Sequence, residues 1–260
     1  MSEKSNIQWT DATWNIARGC TKVDEDCKFC YMYRDSFDST RYNPLEVVRT
    51  KTVFTAPLKY KVKESLCWNG RPLVFTCSLT DFFHESIDSY RDEAWDIIRQ
   101  CPHLIFQILT KRPERIKDHL PADWGEGWDN VWLGTSAGNN DGAYKRIVHM
   151  GMFPAKVKFL SIEPLWQNYD LRSICIAYGI KFDWVIIGGE SGNETGKYRY
   201  RPCELSWIEE MVHDCKMMGS APFVKQMGTY LSKKLGMTDR HGGNINEFPE
   251  HLQIREFPNP

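Results

Sequence analysis

Short apolar runs alternate along most of the chain with longer stretches of helical periodicity. The apolar runs are rich in β-branched and aromatic residues and predict strands at 6–18, 72–78, 104–109, 131–136, 157–161, 184–187 and 222–226. The stretches between them predict helices at 57–68, 88–99, 144–150, 171–178 and 204–218. Apolar strands that alternate with helices indicate parallel pairing, with both faces of the sheet covered. The pattern therefore predicts an α/β fold of about seven strand–helix units.

Polar residues follow the carboxyl ends of the predicted strands. Ser78 ends the second strand and Asp81 follows it, Lys111 and Arg112 follow the third, and Glu163 follows the fifth. Doubly wound sheets and closed or partial barrels both fit this alternation, and both bind ligands at the carboxyl ends of their strands. We therefore expect the polar strand ends to converge on one edge of the fold.

No segment rich in serine, proline or charge marks a domain boundary, and no internal repeat is visible. The sequence therefore predicts one α/β domain over residues 1–228. Residues 229–260 are expected to form a loop-rich C-terminal cap, with one short strand at 251–255.

The composition narrows the functional classes. The chain of 260 residues has 33 basic and 34 acidic side chains, so its net charge does not indicate that it binds a polyanion. The chain does not open with a basic segment followed by an apolar run, and no apolar run is long enough to span a bilayer. We therefore expect a cytoplasmic protein that has no membrane partner.

Nine cysteines, an odd number, argue against a disulfide framework and for reduced thiols. Six of them are scattered and are expected to be small buried side chains. Cys20, Cys27 and Cys30 form the pattern C-x6-C-x2-C in a loop after the first predicted strand. Thiolates bind zinc as well as iron–sulfur clusters. Structural zinc requires a fourth ligand, whereas a four-iron cluster held by three thiolates leaves one iron open for chemistry.

The second half of this pattern, Cys27-Lys28-Phe29-Cys30, resembles the cluster motif of the radical S-adenosylmethionine enzymes, C-x3-C-x-Φ-C with an aromatic Φ. The first spacing differs, with six residues in place of three. The chain also resembles a widespread family of phage and bacterial proteins of poorly defined function. Sequence blocks of that family occur in order: WTDATWN at 9–15, GC at 19–20, CY at 30–31, SLTDFFH at 78–84, TKRPER at 110–115, SIEPL at 161–165, GGESG at 188–192 and FVKQ at 223–226.

The resemblance to the radical S-adenosylmethionine enzymes implies a partial (βα)6-type or near-TIM parallel barrel. It also implies a 4Fe-4S cluster ligated by Cys20, Cys27 and Cys30, whose open iron binds S-adenosylmethionine. Reduction by an electron donor such as flavodoxin or ferredoxin would cleave S-adenosylmethionine to a 5'-deoxyadenosyl radical that abstracts hydrogen from the substrate. The expected substrate is a polar small molecule or a nucleic acid, and hypermodification of a DNA pyrimidine is the form to test first.

The resemblance further implies residues that contact the cofactor. Phe29 and Tyr31 would shield the cluster and contact adenine, although both also suit a plain aromatic core. The residues expected at S-adenosylmethionine are Ser78, Asp81, Ser161, Glu163, Gly188, Gly189 and Glu190. The hydroxyls and carboxylates among them would serve equally as helix caps, and the glycine pair would serve equally as a phosphate cradle.

The substrate end of the predicted barrel would be lined by His84, Gln107, Thr110, Lys111, Arg112, Asn139, Lys225 and Gln226. Lys111 and Arg112 suit a phosphate or carboxylate on the substrate, and they equally suit solvated surface positions. Trp9 and Trp14 are expected in the core. The rival function from another class is a non-catalytic zinc or iron–sulfur module that binds nucleic acid.

Overall fold

A computed structural model describes residues 4–35, 43–61, 68 and 70–259 of the chain. Its strands are β1 (Ala12–Trp14), β2 (Ala17–Arg18), β3 (Val48–Arg49), β4 (Leu73–Thr76), β5 (Ile105–Thr110), β6 (Val131–Ser136), β7 (Val157–Ile162), β8 (Trp184–Gly188) and β9 (Ala221–Gln226). Its α-helices are α1 (Tyr31–Asp35), α2 (Arg91–Gln100), α3 (Asn140–Gly151), α4 (Leu171–Tyr178), α5 (Leu205–Met218) and α6 (Gly228–Lys234).

Seven of these strands form one sheet in the order β1-β4-β5-β6-β7-β8-β9, and β2 pairs with β3 in a separate antiparallel ladder. β1, β4 and β5 pair in parallel, and so do β7, β8 and β9. The predicted α/β fold with parallel strands is confirmed. The chain divides into two compact units, the first of residues 1–22, 31–134 and 153–156, and the second of residues 23–30, 135–152 and 157–260. The domain boundary expected at residue 228 stays a prediction.

In the first unit, aromatic side chains fill the space beside the sheet. The ring of Trp14 lies 5.5 Å from the ring of Phe106 and 6.4 Å from that of Phe54. All four residues of β4 are buried. A continuous apolar run is what a strand requires when both of its faces are covered, and this is why the sequence signal for β4 was clear.

In the second unit, Trp184 is the centre of the packing on β8. Its ring lies 5.7 Å from that of Phe159 on β7 and 5.8 Å from that of Phe223 on β9. Its indole Nε1 donates to the carbonyl oxygen of Glu256 at 2.9 Å. Phe223 also forms an antiparallel bridge with Arg255, so the C-terminal segment lies beside β9 where the sequence predicted a short strand.

Three predicted elements differ from the observed ones. Of the strand expected at 6–18, only Ala12–Trp14 joins the main sheet. The helix expected at 57–68 is a 3-10 helix over Ala56–Lys59, because Tyr60 is extended with φ −63° and ψ 122°; residues 62–67 of this prediction lie outside the described residues. The tail contains α6, which is two turns long and therefore too short to produce a helical period in the sequence.

None of the helices in the described ranges is both long and apolar enough to cross a bilayer.

A close approach of two backbone segments in the second unit gives a stability prediction. Gly228 has φ +80°, and a Cβ atom there would lie 2.6 Å from the carbonyl carbon of Gly189. Gly219, which caps α5, has φ +70°, but a Cβ atom added there would have no neighbouring atom within 4 Å. We expect Gly228→Ala to lower the free energy of unfolding by about 2–4 kcal/mol, and the control Gly219→Ala to lower it by about 1 kcal/mol. Chemical denaturation measures both, and equal losses would contradict the close approach.

Candidate functional site

A buried cluster joins the carboxyl ends of β4 and β5 in the first unit. Thr110 Oγ1 donates to Asp81 Oδ1 at 2.7 Å, and the backbone N–H of Lys111 donates to Asp81 Oδ2 at 2.9 Å. Arg112 Nη1 lies 3.3 Å from the same Oδ2. Asp81 was expected to bind S-adenosylmethionine or to cap a helix. In the structure its carboxylate contacts the end of β5 and a buried cation, and it also accepts from the N–H of Phe83 at 3.0 Å.

Arg112 links this cluster to Cys20. Its Nη1 lies 3.8 Å from Cys20 Sγ, and its Nη2 donates to the carbonyl oxygen of Thr21 at 3.0 Å and to Thr21 Oγ1 at 2.7 Å. Burial disfavours the charged guanidinium, but the charges of Asp81 and Cys20 outweigh burial and raise the pKa of Arg112. A fixed cation beside a thiol favours the thiolate, which is the form that binds metals.

His84 lies in the same cluster and is almost fully buried. Its Nδ1 accepts from the N–H of Ser86 at 3.1 Å, and its Nε2 lies 2.9 Å from Thr21 Oγ1. Since Nδ1 is an acceptor, the neutral ring carries its proton on Nε2, which donates to Thr21. Burial, followed by the nearby charge of Arg112, lowers the pKa of His84 from its ordinary value of 6.5. The ring is therefore neutral at pH 7.

Ser78 and Tyr31 are fixed at the turn that follows β4. Asn15 Nδ2 donates to Ser78 Oγ at 3.0 Å, and the N–H of Leu79 donates to Asn15 Oδ1 at 2.7 Å. The Tyr31 hydroxyl donates to the carbonyl oxygen of Ser78 at 2.6 Å. The Tyr31 ring is 44% exposed, so it is an anchored surface aromatic and not a core side chain.

In the second unit, a buried ion pair anchors residues 23–30, which we call the cysteine loop because they contain two of the three clustered thiols. The Asp26 carboxylate accepts from Arg146 Nη2 at 2.6 Å, from Trp166 Nε1 at 2.7 Å and from the N–H of Gly138 at 3.2 Å. The Asp26 side chain is 0% exposed and that of Arg146 is 6% exposed. The buried carboxylate is thus paired with a cation and has two further donors, which a buried charge requires.

Arg146 completes this anchor through two further contacts. Its Nε donates to the carbonyl oxygen of Ser136 at 2.6 Å, and its Nη1 pairs with Asp24. Asp24 also accepts from the N–H of Asp26 at 2.9 Å and so caps the 3-10 helix Glu25–Cys27. The six-residue spacer of the cysteine pattern therefore contains the two carboxylates that hold the loop.

Arg201 joins the cysteine loop to the segment after β8. Its Nε and Nη2 donate to the two carboxylate oxygens of Glu190 at 2.8 and 2.6 Å, and its Nη1 donates to the carbonyl oxygen of Glu25 at 2.8 Å. The guanidinium lies 4.2 Å from the ring centroid of Trp166 and 5.5 Å from that of Phe29. Glu190 and Phe29, both expected at the cofactor, are thus bound to the same cation.

The carboxyl ends of β7, β8 and β9 bring a group of predicted site residues together. Lys225 Nζ lies 2.9 Å from Glu163 Oε1, and Ser161 Oγ lies 3.5 Å from Glu163 Oε2. Gly188 leaves room for this carboxylate, because a Cβ atom there would lie 2.9 Å from Glu163 Oε1. Gln226 contacts the same glycine, with its Cγ 3.1 Å from that Cβ position. The expected convergence of polar strand ends is therefore present within this unit.

The second glycine of the pair serves the backbone of the sheet. The N–H of Gly189 donates to the carbonyl oxygen of Gln226 at 3.1 Å, and Gln226 Nε2 donates back to the carbonyl oxygen of Gly189 at 2.7 Å. Gln226 Nε2 also lies 2.8 Å from Ser191 Oγ. The glycines here permit close packing of the strand ends, which differs from the phosphate cradle considered from the sequence.

Two polar atoms near these strand ends are buried without a hydrogen bond. Asn139 accepts from the N–H of Gly142 at 2.9 Å and so caps α3, while its Nδ2 has no partner. Glu163 Oε1 forms an ion pair with Lys225 Nζ but has no hydrogen bond. At 2.9 Å the Lys225 ammonium still balances the charge of Glu163. Buried polar atoms without hydrogen bonds carry a cost that a bound ligand group would remove.

Gln107 lies inside the sheet. It occupies the middle of β5, is 0% exposed, and donates through Nε2 to the carbonyl oxygen of Trp9 at 3.2 Å. Gln107 was expected at the substrate end of the strands, so the structure places it elsewhere.

The eight cysteines that the structure describes are all free thiols. Cys27 is buried, whereas Cys20 and Cys30 are partly exposed. The N–H of Cys30 lies 3.4 Å from the carbonyl oxygen of Cys27, so the C-x2-C segment is folded as a turn. Within the described ranges, no three His, Cys, Asp or Glu side chains are grouped so that they could hold a metal ion. The expected cluster therefore stays a prediction.

The residues that hold the cysteine loop were not identified from the sequence. They are Asp24, Asp26, Arg146, Trp166 and Arg201. The two aspartates stand in the spacer as an Asp-x-Asp pattern, which is a visible signal. Their partner is 120 residues from Asp26 in the chain, and no local rule identifies it.

The family model described as "Protein of unknown function (DUF5131)" matches residues 4–253 of the chain. The match includes all the residues of the two clusters described above. No curated protein and no solved structure matches the chain.

The anchor of the cysteine loop gives a first prediction. Arg146→Met would leave Asp26 charged, buried and without its cation, so we expect a loss of about 3–5 kcal/mol in the free energy of unfolding. The control Arg99→Met removes a surface arginine that pairs with Asp96 and Asp123 and is 48% exposed, and its loss of stability should be far smaller. Chemical denaturation compares the two variants. Similar losses would mean that the buried pair does not hold the loop.

His84 gives a second prediction, which concerns pH. Its folded pKa lies below the ordinary 6.5, so the unfolded chain binds the proton more readily. The stabilising effect of the neutral ring is present above about pH 6.5 and is lost as the pH falls through the folded pKa. His84→Gln should therefore lose less stability than the wild type between about pH 7.5 and about pH 5. His149→Gln, at an exposed position, is the control and should retain the wild-type profile. A profile of His84→Gln that matches the wild type would refute the assignment.

Proposed function

The chain belongs to the DUF5131 family of proteins of unknown function, and we propose that it is an iron–sulfur enzyme of the radical S-adenosylmethionine type. Cys20, Cys27 and Cys30 would hold a 4Fe-4S cluster. The cluster and S-adenosylmethionine, when bound, would supply a 5'-deoxyadenosyl radical for hydrogen abstraction from the substrate. The side chains of the protein would bind, orient and shield these groups.

The observation that carries this proposal is the anchoring of the cysteine loop. Asp26 and Arg201 bind the loop to segments that follow β6, β7 and β8. The carboxyl ends of parallel strands are where α/β folds bind their ligands. Burial of a charged pair costs several kcal/mol before any contact is formed. We infer that the fixed position of this loop serves the function of the protein.

The chemistry of the thiols fits a cluster. All three are free thiols, and the segment from Cys27 to Cys30 is folded as a turn, so these two thiolates would chelate one metal centre. Cys20 lies in the other unit, beside the fixed guanidinium of Arg112. A cation at this distance would offset the negative charge that thiolate ligands bring.

The strand ends of the second unit fit the amino-acid part of S-adenosylmethionine. Glu163 Oε1 would accept from the amino group, and Asn139 Nδ2, which has no partner at present, would donate to a carboxylate. The missing side chain of Gly188 lets the Glu163 carboxylate lie against the strand, because a Cβ atom there would lie 2.9 Å from Glu163 Oε1. Lys225 would neutralise Glu163 in the absence of the ligand.

The remaining parts of the proposal concern the fold and the partners. We propose that the seven-stranded sheet is a partial barrel of the (βα)6 type, since parallel strands with polar carboxyl ends are common to that fold. A cytoplasmic donor such as flavodoxin or ferredoxin would reduce the cluster. The substrate would be a polar small molecule or a nucleic-acid base.

Metal analysis tests this function. Protein purified without oxygen is expected to contain about four iron atoms and four sulfides per chain. Cys27→Ala should lose most of this iron. Cys203→Ala is the matched control, because Cys203 is another buried thiol of the same unit, and it should retain the cluster. Stoichiometric zinc without sulfide would contradict the proposal and favour the non-catalytic binding module.

Product analysis tests whether the protein cleaves S-adenosylmethionine. The reduced wild-type protein should convert S-adenosylmethionine to 5'-deoxyadenosine and methionine, and Cys203→Ala should do the same. Cys27→Ala should form neither product. A cluster-loaded protein that leaves S-adenosylmethionine intact under reduction would contradict the enzymatic assignment.

A further inference from the structure

Basic and tyrosine side chains from three segments of the second unit gather at one place on the surface. They come from the loop after β8, from α6 and from the segment after α6, and we call them the basic strip: Lys197, Tyr198, Arg199, Tyr200, Lys233, Lys234 and Arg240. In the loop, cations and rings alternate from Lys197 to Arg201 without an acidic residue. The whole chain carries a net charge of −1, so this local excess of positive charge is a property of the fold.

Specific contacts bring the three segments together. Arg240 Nη2 lies 2.7 Å from Asn193 Oδ1, and Lys233 Nζ lies 5.5 Å from the ring centroid of Tyr200. The loop itself closes where the N–H of Asn193 donates to the carbonyl oxygen of Tyr198 at 2.9 Å. The strip is therefore assembled in the folded chain before any ligand binds, which lowers the ordering cost of binding.

The charges of the strip are only partly neutralised. Lys233 pairs with Glu194, and Lys234 pairs with Glu204. Among the residues that the structure describes, no carboxylate forms an ion pair with Lys197, Arg199 or Arg240, and all three are exposed. Exposed arginines and lysines without acidic partners attract polyanions most strongly at low salt.

The tyrosines distinguish between the possible polyanions. Tyr198 and Tyr200 are partly exposed, and each alternates with an exposed cation in the chain. Single-stranded nucleic acid binds to surfaces of this composition because its backbone follows the positive charges while its bases stack on aromatic rings. An acidic protein would use the cations, but it would gain little from the rings.

Arg201 connects the basic strip with the cysteine loop. Arg201, two residues beyond Arg199, donates to the carbonyl oxygen of Glu25 at 2.8 Å and lies beside the ring of Phe29. Arg199 and Arg201 are separated in the chain only by Tyr200. A strand bound along Arg199 would therefore approach the loop that contains Cys27 and Cys30.

We propose that the basic strip is a binding site for single-stranded nucleic acid, with the backbone on Lys197, Arg199 and Arg240 and bases stacked on Tyr198 and Tyr200. Binding to the strip is independent of the cluster. The further role of the strip, presenting a base to the cysteine loop, rests on the function proposed above and would make single-stranded nucleic acid the substrate class of the enzyme.

Fluorescence anisotropy with a labelled single-stranded oligonucleotide tests the site in the full-length protein. Removal of two phosphate contacts in Lys197→Gln/Arg199→Gln should weaken binding roughly tenfold and reduce the salt slope by about 1.4, since each contact with a single strand contributes about 0.7. Lys145→Gln/Lys181→Gln removes the same charge from exposed positions of the same unit outside the strip and should bind as the wild type does. Tyr198→Ser should weaken binding while leaving the salt slope unchanged.

Three results would overturn the proposal. The first is a wild-type dissociation constant weaker than about 10⁻⁴ M at low salt. The second is equal weakening by the strip variant and its control. The third is binding of an acidic protein such as flavodoxin, but not of the oligonucleotide, in a way that depends on Lys197 and Arg199. Because anisotropy is read on protein with or without iron, failure of the strip and failure of the cluster give separate results.

Discussion

The ion pair between Asp26 and Arg146 is the constraint on which the candidate site depends. Two charges are removed from water there. This desolvation is offset only because both oxygens of the Asp26 carboxylate accept hydrogen bonds. Those partners belong to the segment after β6, to the segment after β7 and to α3, so a short loop takes its position from elements far away in the sequence. Arg201 likewise forms an ion pair with Glu190 and donates to the carbonyl oxygen of Glu25. Both ion pairs therefore hold the loop that contains Cys27 and Cys30.

The unusual first spacing of the cysteine pattern follows from this constraint. A motif with three intervening residues has no room for Asp24, Asp26 and the 3-10 helix that Asp24 caps. The six-residue spacer adds the side chains that bind Arg146. From the sequence this spacer was only a departure from a known motif, because the pattern of one segment does not contain the identity of a partner more than a hundred residues away.

The strands of the sheet were predictable because buried strands have locally apolar sequences. β8 is a continuous apolar run with all five residues buried, as expected of a strand that is covered on both faces. α6 and the 3-10 helix at residues 56–59 were missed because each is too short to establish a period. The sequence does not show which groups the polar strand ends contact: Asp81 contacts Arg112 and Thr110, and Glu163 contacts Lys225. Periodicity indicates where a side chain points, whereas register and loop geometry decide which group it meets.

The central claim is that the anchored cysteines hold a cluster with an iron open to S-adenosylmethionine. Electron paramagnetic resonance of the reduced protein, recorded with and without S-adenosylmethionine, tests this most directly. The account predicts the signal of a reduced 4Fe-4S cluster whose g values shift when S-adenosylmethionine is added, because the ligand binds the open iron. A cluster signal that S-adenosylmethionine leaves unchanged, or no cluster signal in protein purified without oxygen, would contradict the account.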